Sequence, residues 1–285
     1  LNKNRLVKDI IEPQYVIEGA GVLLRRSIFP HVSNQFDPFL LFDHFAFNDP
    51  VEGPIRGFPM HPHRGIETVT YILKGSVNHR DSLGNAGLIG PGDIQWMTSG
   101  GGILHEEMPH RGPDGLIVGF QLWVNLPAAL KMIRPNYQGV STADIPPAKG
   151  PGWIARVVAG ELVGVSGPVK EIAANPVYLE VAMEIGAKFT LPISEDYTAL
   201  VYVFDGQATF GDQEVGAVEM VVLEKGSRIE IHTGETPVRF ILMTGAPIRE
   251  PIVPYGPFVM NTREEIQQAL IDLRNGTFVQ ATNPV

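Results

Sequence analysis

His61-Pro-His63-Arg-Gly-Ile-Glu67 opens the stretch whose reading decides the fold. It runs on through Thr68-Val-Thr-Tyr-Ile-Leu73 and stops at Lys74-Gly75. The run from Ile66 to Leu73 is β-branched and aromatic, and Lys-Gly is a turn, so it reads as a strand. Downstream, Leu88-Ile89 precedes the turn Gly90-Pro-Gly-Asp93, and Ile94-Gln-Trp-Met97 follows it. Leu116-Ile-Val-Gly-Phe-Gln-Leu-Trp-Val124 is a further strand. The second half reads alike: Ala199-Leu-Val-Tyr-Val-Phe204 stops at Asp205-Gly206, and Met220-Val-Val-Leu223 leads to Glu224-Lys-Gly226. Arg228-Ile-Glu-Ile231 and Val238-Arg-Phe-Ile-Leu-Met243 follow. Short strands between turn signals predict an all-β barrel or sandwich.

Composition agrees. Gly 31 and Pro 24 together make about 19% of the 285 residues, an excess spread between apolar runs that suits many tight turns. With 44% hydrophobic and 19% charged residues, a packed core is expected rather than disorder. The formal net charge is −9, and no long basic run is present, which disfavours direct binding to DNA or RNA. Cysteine is absent, which excludes disulfides, Cys zinc sites, iron–sulfur clusters and a Cys nucleophile. Apolar stretches fall far short of the ~20 residues that span a bilayer, so no membrane partner is expected. Lys3, Arg5 and Lys8 are not followed by an apolar run, so no secretory signal is read. The expected location is the cytoplasm, or also the nucleus in a eukaryote.

The clearest break is Asp144-Ile-Pro-Pro-Ala-Lys-Gly-Pro-Gly152, whose prolines and glycines suit neither a helix nor a central strand. Residues 1–143 are therefore expected as an N-terminal barrel, 144–152 as a linker, and 153–285 as a C-terminal barrel. Tyr71-Ile-Leu-Lys-Gly75 resembles Tyr202-Val-Phe-Asp-Gly206, a weak internal repeat that suggests one barrel duplicated, although two β-rich stretches can also match by coincidence. One helix is strongly signalled, over 262–275. Thr262 and Glu265 fit a capping box, Ile266, Leu270 and Leu273 make an apolar stripe, and Asn275-Gly276 ends it. A shorter helix is expected after Pro127, through Ala128-Ala-Leu-Lys-Met132.

Residues i and i+2 of a strand point to the same face. His61 and His63 can thus aim two imidazoles into one cavity, and His105 with Glu107 can add an imidazole and a carboxylate from another strand. Three neutral nitrogens and one anionic oxygen suit a divalent first-row metal, with two positions of an octahedron left open. A single His-x-His pair is equally well explained as structural. The combination, bracketed by strands and separated by a Pro-Gly-Asp turn, is more specific.

His61-Pro-His63 with Glu67 and Gly75 resembles the first motif of the cupin superfamily, with the Glu-to-Gly gap one residue longer than usual, and Gly90-Pro-Gly-Asp93 resembles the start of the second. The fuller text resembles the pirin family. Asp37-Pro-Phe-Leu-Leu41, Phe58-Pro-Met-His-Pro-His-Arg-Gly65, Pro91-Gly-Asp-Ile-Gln-Trp-Met-Thr98 and Gly101-Gly-Ile-Leu-His-Glu-Glu-Met-Pro109 carry the likeness. So do Gln121-Leu-Trp-Val-Asn-Leu126 and Pro251-Ile-Val-Pro-Tyr-Gly-Pro-Phe-Val-Met-Asn-Thr262. The resemblance implies a bicupin: two face-to-face jelly-roll cupin β-barrels with a C-terminal helix. It also implies one non-haem iron, Fe(II) or Fe(III), held by His61, His63, His105 and Glu107. Other divalent metals could replace iron after expression. Some family members cleave the flavonol quercetin with O2 and release carbon monoxide; animal members are iron-dependent nuclear co-regulators of transcription. The resemblance thus implies a quercetin 2,3-dioxygenase acting on a flavonol-like molecule and O2, with Glu107 as the general base. The alternative is a non-enzymatic regulator with a protein partner. A monomer is expected. Glu106 departs from the family, where a small residue is usual; its opposite parity predicts a surface effect only.

Glu67 is the rival to Glu107, since its parity matches the first two histidines; its bland reading is a buried ion-pair residue, with Arg64 as partner. His31, His44, His79 and His110 are unpaired in the sequence and read as surface or core residues, with His44 a candidate for the cavity mouth and His110 past its strand. Trp96, Met97, Phe120 and Trp123 read as core, some of them able to wall an aromatic-substrate pocket. Ser99-Gly-Gly-Gly102 lacks the features of a phosphate loop and is read as backbone compactness beside the metal. If Gly206 matches Gly75, the first-motif ligands fall on Pro192, Ser194 and Thr198, so the second barrel is expected to hold no metal.

Overall fold

In the computed structural model, which describes residues 3–46 and 56–279, the β-branched runs are strands and the chain folds into two compact units. The first barrel consists of Gln14–Thr142 together with the chain from Ile248 onward. One of its sheets runs in the order Asn136–Val140, Ile94–Thr98, Ile66–Lys74, Val118–Asn125, Phe39–Phe45, Val22–Ile28, Gln14–Glu18. The other runs Phe58–His63, Ile103–His110, Ser76–Asp81, Ala86–Ile89. All these pairings are antiparallel. Ile66–Lys74 is buried along seven of its nine residues, because it is a central strand covered on both faces.

The second barrel consists of the chain up to Pro13 with Ala143–Pro247, and it repeats the same strand order. Val7–Ile11, Glu219–Leu223, Thr198–Phe210, Val238–Gly245, Val177–Met183, Trp153–Ala159 and Pro147–Gly150 form the long sheet. Lys188–Pro192, Arg228–His232, the end of Thr198–Phe210 and Gln213–Gly216 form the counterpart of the short one. The repeat seen at Tyr71–Gly75 and Tyr202–Gly206 is therefore a repeat of topology. Gly75 and Gly206 stand where the chain passes from one sheet to the other, at φ +71 and +74. A side chain at either would meet a carbonyl, of His110 at the first and of Pro237 at the second, so both positions need glycine. The interior of the second barrel is filled by apolar side chains such as Leu179, Phe189, Val201, Phe210 and Phe240.

Two domain expectations are corrected. The 144–152 segment is not a linker throughout: Pro147–Gly150 is a strand paired with Trp153–Ala159 through a tight turn with Gly152 at φ +71. It lies at the sheet edge, where the missing N–H of Pro147 breaks no central ladder. The C-terminal helix does not belong with the second barrel. Arg263–Asn275 packs Ile266 and Ala269 against Phe258, Met260, Phe278 and Leu104 of the first. Its capping box at Thr262 and Glu265 and its left-handed Gly276 cap are as expected. Position 262 and its hydroxyl fix where the helix starts, while the apolar stripe fixes what it covers.

The expected helix after Pro127 is a single 3-10 turn, Ala128–Leu130. Behind it Lys131 is buried, and its Nζ donates to the carbonyls of Gly65 (2.9 Å) and Val259 (2.7 Å) and to Asn125 Oδ1 (2.8 Å). Three N–H groups meet three acceptors, which ties the loop, the start of the Ile66–Lys74 strand and the returning C-terminal segment together. Lys131→Met removes all three donors from buried acceptors. Urea unfolding should show a loss of about 3 kcal/mol, against about 1 kcal/mol for Thr262→Ala at the helix cap.

Candidate metal centre

Phe58–His63 and Ile103–His110 are neighbouring strands, registered so that His105 lies opposite His61 and Ile103 opposite His63. Directly opposed residues share a face, so alternation delivers His61, His63 and His105 to one spot. Their ring centroids are 4.3 to 4.9 Å apart, and one nitrogen from each lies within 4.8 Å of the others. His61 Nδ1 is 2.8 Å from the Pro59 carbonyl and His63 Nδ1 is 3.3 Å from that of Pro257. A carbonyl only accepts, so each Nδ1 carries the proton and each Nε2 keeps its lone pair. The two Nε2 atoms face each other at 3.1 Å. His105 is wholly buried, and neither of its nitrogens has a hydrogen-bond partner among the described residues.

Burial, with the neighbouring His61 as a second cause, pushes His63 down to about 3. Burial pushes His105 well below the ordinary histidine range, with His63, His61 and His79 adding to it. Both rings are therefore neutral at pH 7, the form that ligates metals. Unpartnered buried nitrogens, lone pairs turned inward and carbonyls behind the outer nitrogens fit a cation with borderline or imidazole-loving character.

Glu107 is not in the three-nitrogen cluster. A register shift falls between His105 and Glu107 in the pairing with Phe58–His63. The Glu107 Oε1 accepts from Thr70 Oγ1 at 2.8 Å, and Thr70 Oγ1 accepts from Gln121 Nε2 at 3.2 Å. Glu107 does line the same cavity as His61 and His63, a space of about 490 Å³ walled also by Leu41, Phe58 and Trp123. Of the aromatic candidates, Trp123 thus faces the cavity, while Trp96, Met97 and Phe120 are buried core.

Glu67 is held elsewhere. Gly65 breaks the strand at φ +80, which ends the parity shared with His61 and His63. Its carboxylate accepts from Trp96 Nε1 (3.2 Å) and Thr98 Oγ1 (2.9 Å), and Arg64 pairs instead with Asp272 of the helix at 2.7 Å. His44 packs on Phe120 with ring centroids at 4.9 Å, in the core rather than at the cavity mouth. His110 is the last residue of its strand, opposite Ser76, and not past it. Glu106 faces outward to Arg80 at 3.0 Å, as its parity requires.

His79 is a core residue, one of the two places the sequence allowed it, but its position beside the cluster was not anticipated. It is buried, 5.5 Å in ring centroid from His105, stacked on Tyr137 at 5.1 Å, with Nε2 3.3 Å from Asp81 Oδ2. The signal was present: in Ser76–Asp81 the alternate residues Val77, His79 and Asp81 are buried, and His79-Arg-Asp81 has the same spacing as His61-Pro-His63.

Two barrels of one strand order, the first with a buried imidazole cluster opening on a cavity, define a bicupin. The Pirin family model matches residues 22–124 and the Pirin C-terminal cupin domain matches residues 178–279. A pirin-like protein of Caulobacter vibrioides is 42% identical, covering 96% of this chain and 99% of its own. Human pirin is 41% identical over 90% of this chain and 88% of its own. A crystal structure of quercetin 2,3-dioxygenase from Acinetobacter baumannii superposes with a TM-score of 0.87 at 34% identity, covering 97% of this chain and 99% of that one. The chain belongs to the pirin family.

Titration of the metal-free protein with Fe(II) or Ni(II) should show about one ion bound. His61→Ala and His105→Ala should each weaken that binding by more than the ~100-fold that losing an outer partner of a ligand costs. Their far-ultraviolet spectra should match the parent protein, since the strands that carry these side chains keep their backbone ladders.

Proposed function

We propose that this protein is an iron-dependent dioxygenase of the quercetin 2,3-dioxygenase type, with His61, His63 and His105 holding the metal and Glu107 serving as fourth ligand and base. The observation that carries this reading is a cluster of three imidazoles, two of them held neutral by burial, beside a buried carboxylate on a cavity whose walls are partly apolar. The relative from Acinetobacter baumannii supplies the substrate class. Bound iron would supply Lewis acidity toward an enolic oxygen and one-electron chemistry toward O2.

The rest of the task falls to the chain. Trp123, Phe58 and Leu41 take the flat ring system of a flavonol and exclude water from around it. Thr70 Oγ1 donates to one oxygen of Glu107, and Gln121 holds Thr70 in turn. That leaves Glu107 Oε2 to receive the proton of the substrate's enolic hydroxyl, which makes the ring electron-rich and open to oxidation. A base must come within ~2.6–3.2 Å of its proton, and Glu107 lines the same space as the metal-facing histidines.

Anaerobic Fe(II) loading followed by quercetin and O2 should yield carbon monoxide above the rate of free iron. Glu107→Gln should retain most of the iron, because an amide oxygen can still coordinate. Its turnover should fall by roughly 100-fold or more, because an amide accepts no proton at neutral pH. Wild-type turnover no faster than free iron would move the assignment to the non-enzymatic regulatory alternative.

A further inference from the structure

The cavity contains an ion cluster that the proposed chemistry does not use. Arg26 of Val22–Ile28 and Asp43 of Phe39–Phe45 are cross-strand partners, and both face the space shared with His61 and His63. Arg26 donates through Nε to Asp43 Oδ1 at 2.7 Å, through Nη2 to Asp43 Oδ2 at 2.8 Å, and through Nη1 to Glu18 Oε1 at 2.8 Å. The guanidinium is thus engaged on both edges, and both acids stay on the cavity wall.

Charge then decides what the wall can recognise. Two carboxylates on one guanidinium leave this cluster at −1; Glu107 lines the same space, but its charge would be offset by the metal it holds. An ionised carboxylate has room for about four hydrogen bonds; Arg26 uses two on Asp43 and one on Glu18. The wall is therefore rich in acceptors and repels anions, while the remaining surface is apolar. A neutral flat ligand with hydroxyl donors on its rim meets both conditions. A ligand bearing a carboxylate there meets the net negative charge of this cluster in a half-buried place, which is costly.

We propose that Asp43 and Glu18, held in place by Arg26, form a subsite that accepts hydrogen bonds from phenolic hydroxyls on the end of the substrate away from the metal and turns carboxylates away. This deepens the dioxygenase reading and rests on it for the substrate's orientation. Asp43 is buried and Glu18 is 43% exposed in its side chain, so the subsite runs from the interior to the rim.

The test is calorimetric binding to Fe(II)-loaded protein under nitrogen, with three probes. These are quercetin, its 3′,4′-dimethyl ether, and a flavonol with a carboxylate on that same ring. Wild type should bind quercetin about tenfold more tightly than either analogue, the scale of a hydrogen bond to a charged group. Glu18→Gln and Asp43→Asn should shrink both preferences to within about threefold. Should Asp43→Asn fail to fold, Glu18→Gln carries the test, since its side chain is only partly buried. Equal binding of the three probes by wild type, or wild-type preferences in the folded variants, would overturn the subsite. Admitting O2 separates the two readings. Turnover without probe preference rejects the subsite alone, preference without turnover rejects the dioxygenase alone, and no binding of any probe rejects both.

Discussion

The centre of this molecule depends on the register between two short antiparallel strands, Phe58–His63 and Ile103–His110. With His105 opposite His61, three imidazoles from two strands meet on one face. A slip of one residue would send the whole set to the other face, because side chains alternate with a period of two. The shift between His105 and Glu107 matters as much. It sets the carboxylate apart from the nitrogens and leaves it on the wall of the same cavity, held by Thr70.

That register is supported from behind. His63-Arg-Gly65 is pinned by the segment that returns to the first barrel after the second is complete. The Pro257 carbonyl faces His63, Asp272 and Phe278 take the Arg64 guanidinium, and Lys131 joins the carbonyls of Gly65 and Val259. A side chain at Gly65 would collide with the Val259 carbonyl, so the close approach depends on glycine there. The helix Arg263–Asn275 is therefore more than a cover. Through Asp272 it holds the residue next to a histidine of the cluster.

Burial gives the site its chemistry. The cost of charging a desolvated imidazole keeps His63 and His105 neutral, ready to donate lone pairs. On the cavity wall Arg26 does not add positive charge, because Asp43 and Glu18 both engage its guanidinium. The second barrel has the same topology but a different interior. Where the first aims histidines inward, the matching sequence has Pro192, Ser194 and Thr198, and its core is filled with aliphatic and aromatic side chains.

Much of this was legible in the sequence by itself. Period-two alternation and turn glycines determined the strands, Thr262 and Gly276 bounded the helix, and His61-Pro-His63 with His105 named the cluster. These are local signals, decided by backbone sterics and by which face a side chain must take. The tertiary structure alone decided what depends on distant pairing. It brought His79 against His105 and Tyr137, turned Glu67 away to Trp96 and Thr98, and made an edge strand of Pro147–Gly150. It also assigned the first residues to the second barrel and the last to the first. Apart from the Pro147–Gly150 hairpin, whose partner strand is adjacent in sequence, these outcomes are contacts between residues tens to hundreds of positions apart, and their free energy exists only once the barrel that holds them has closed.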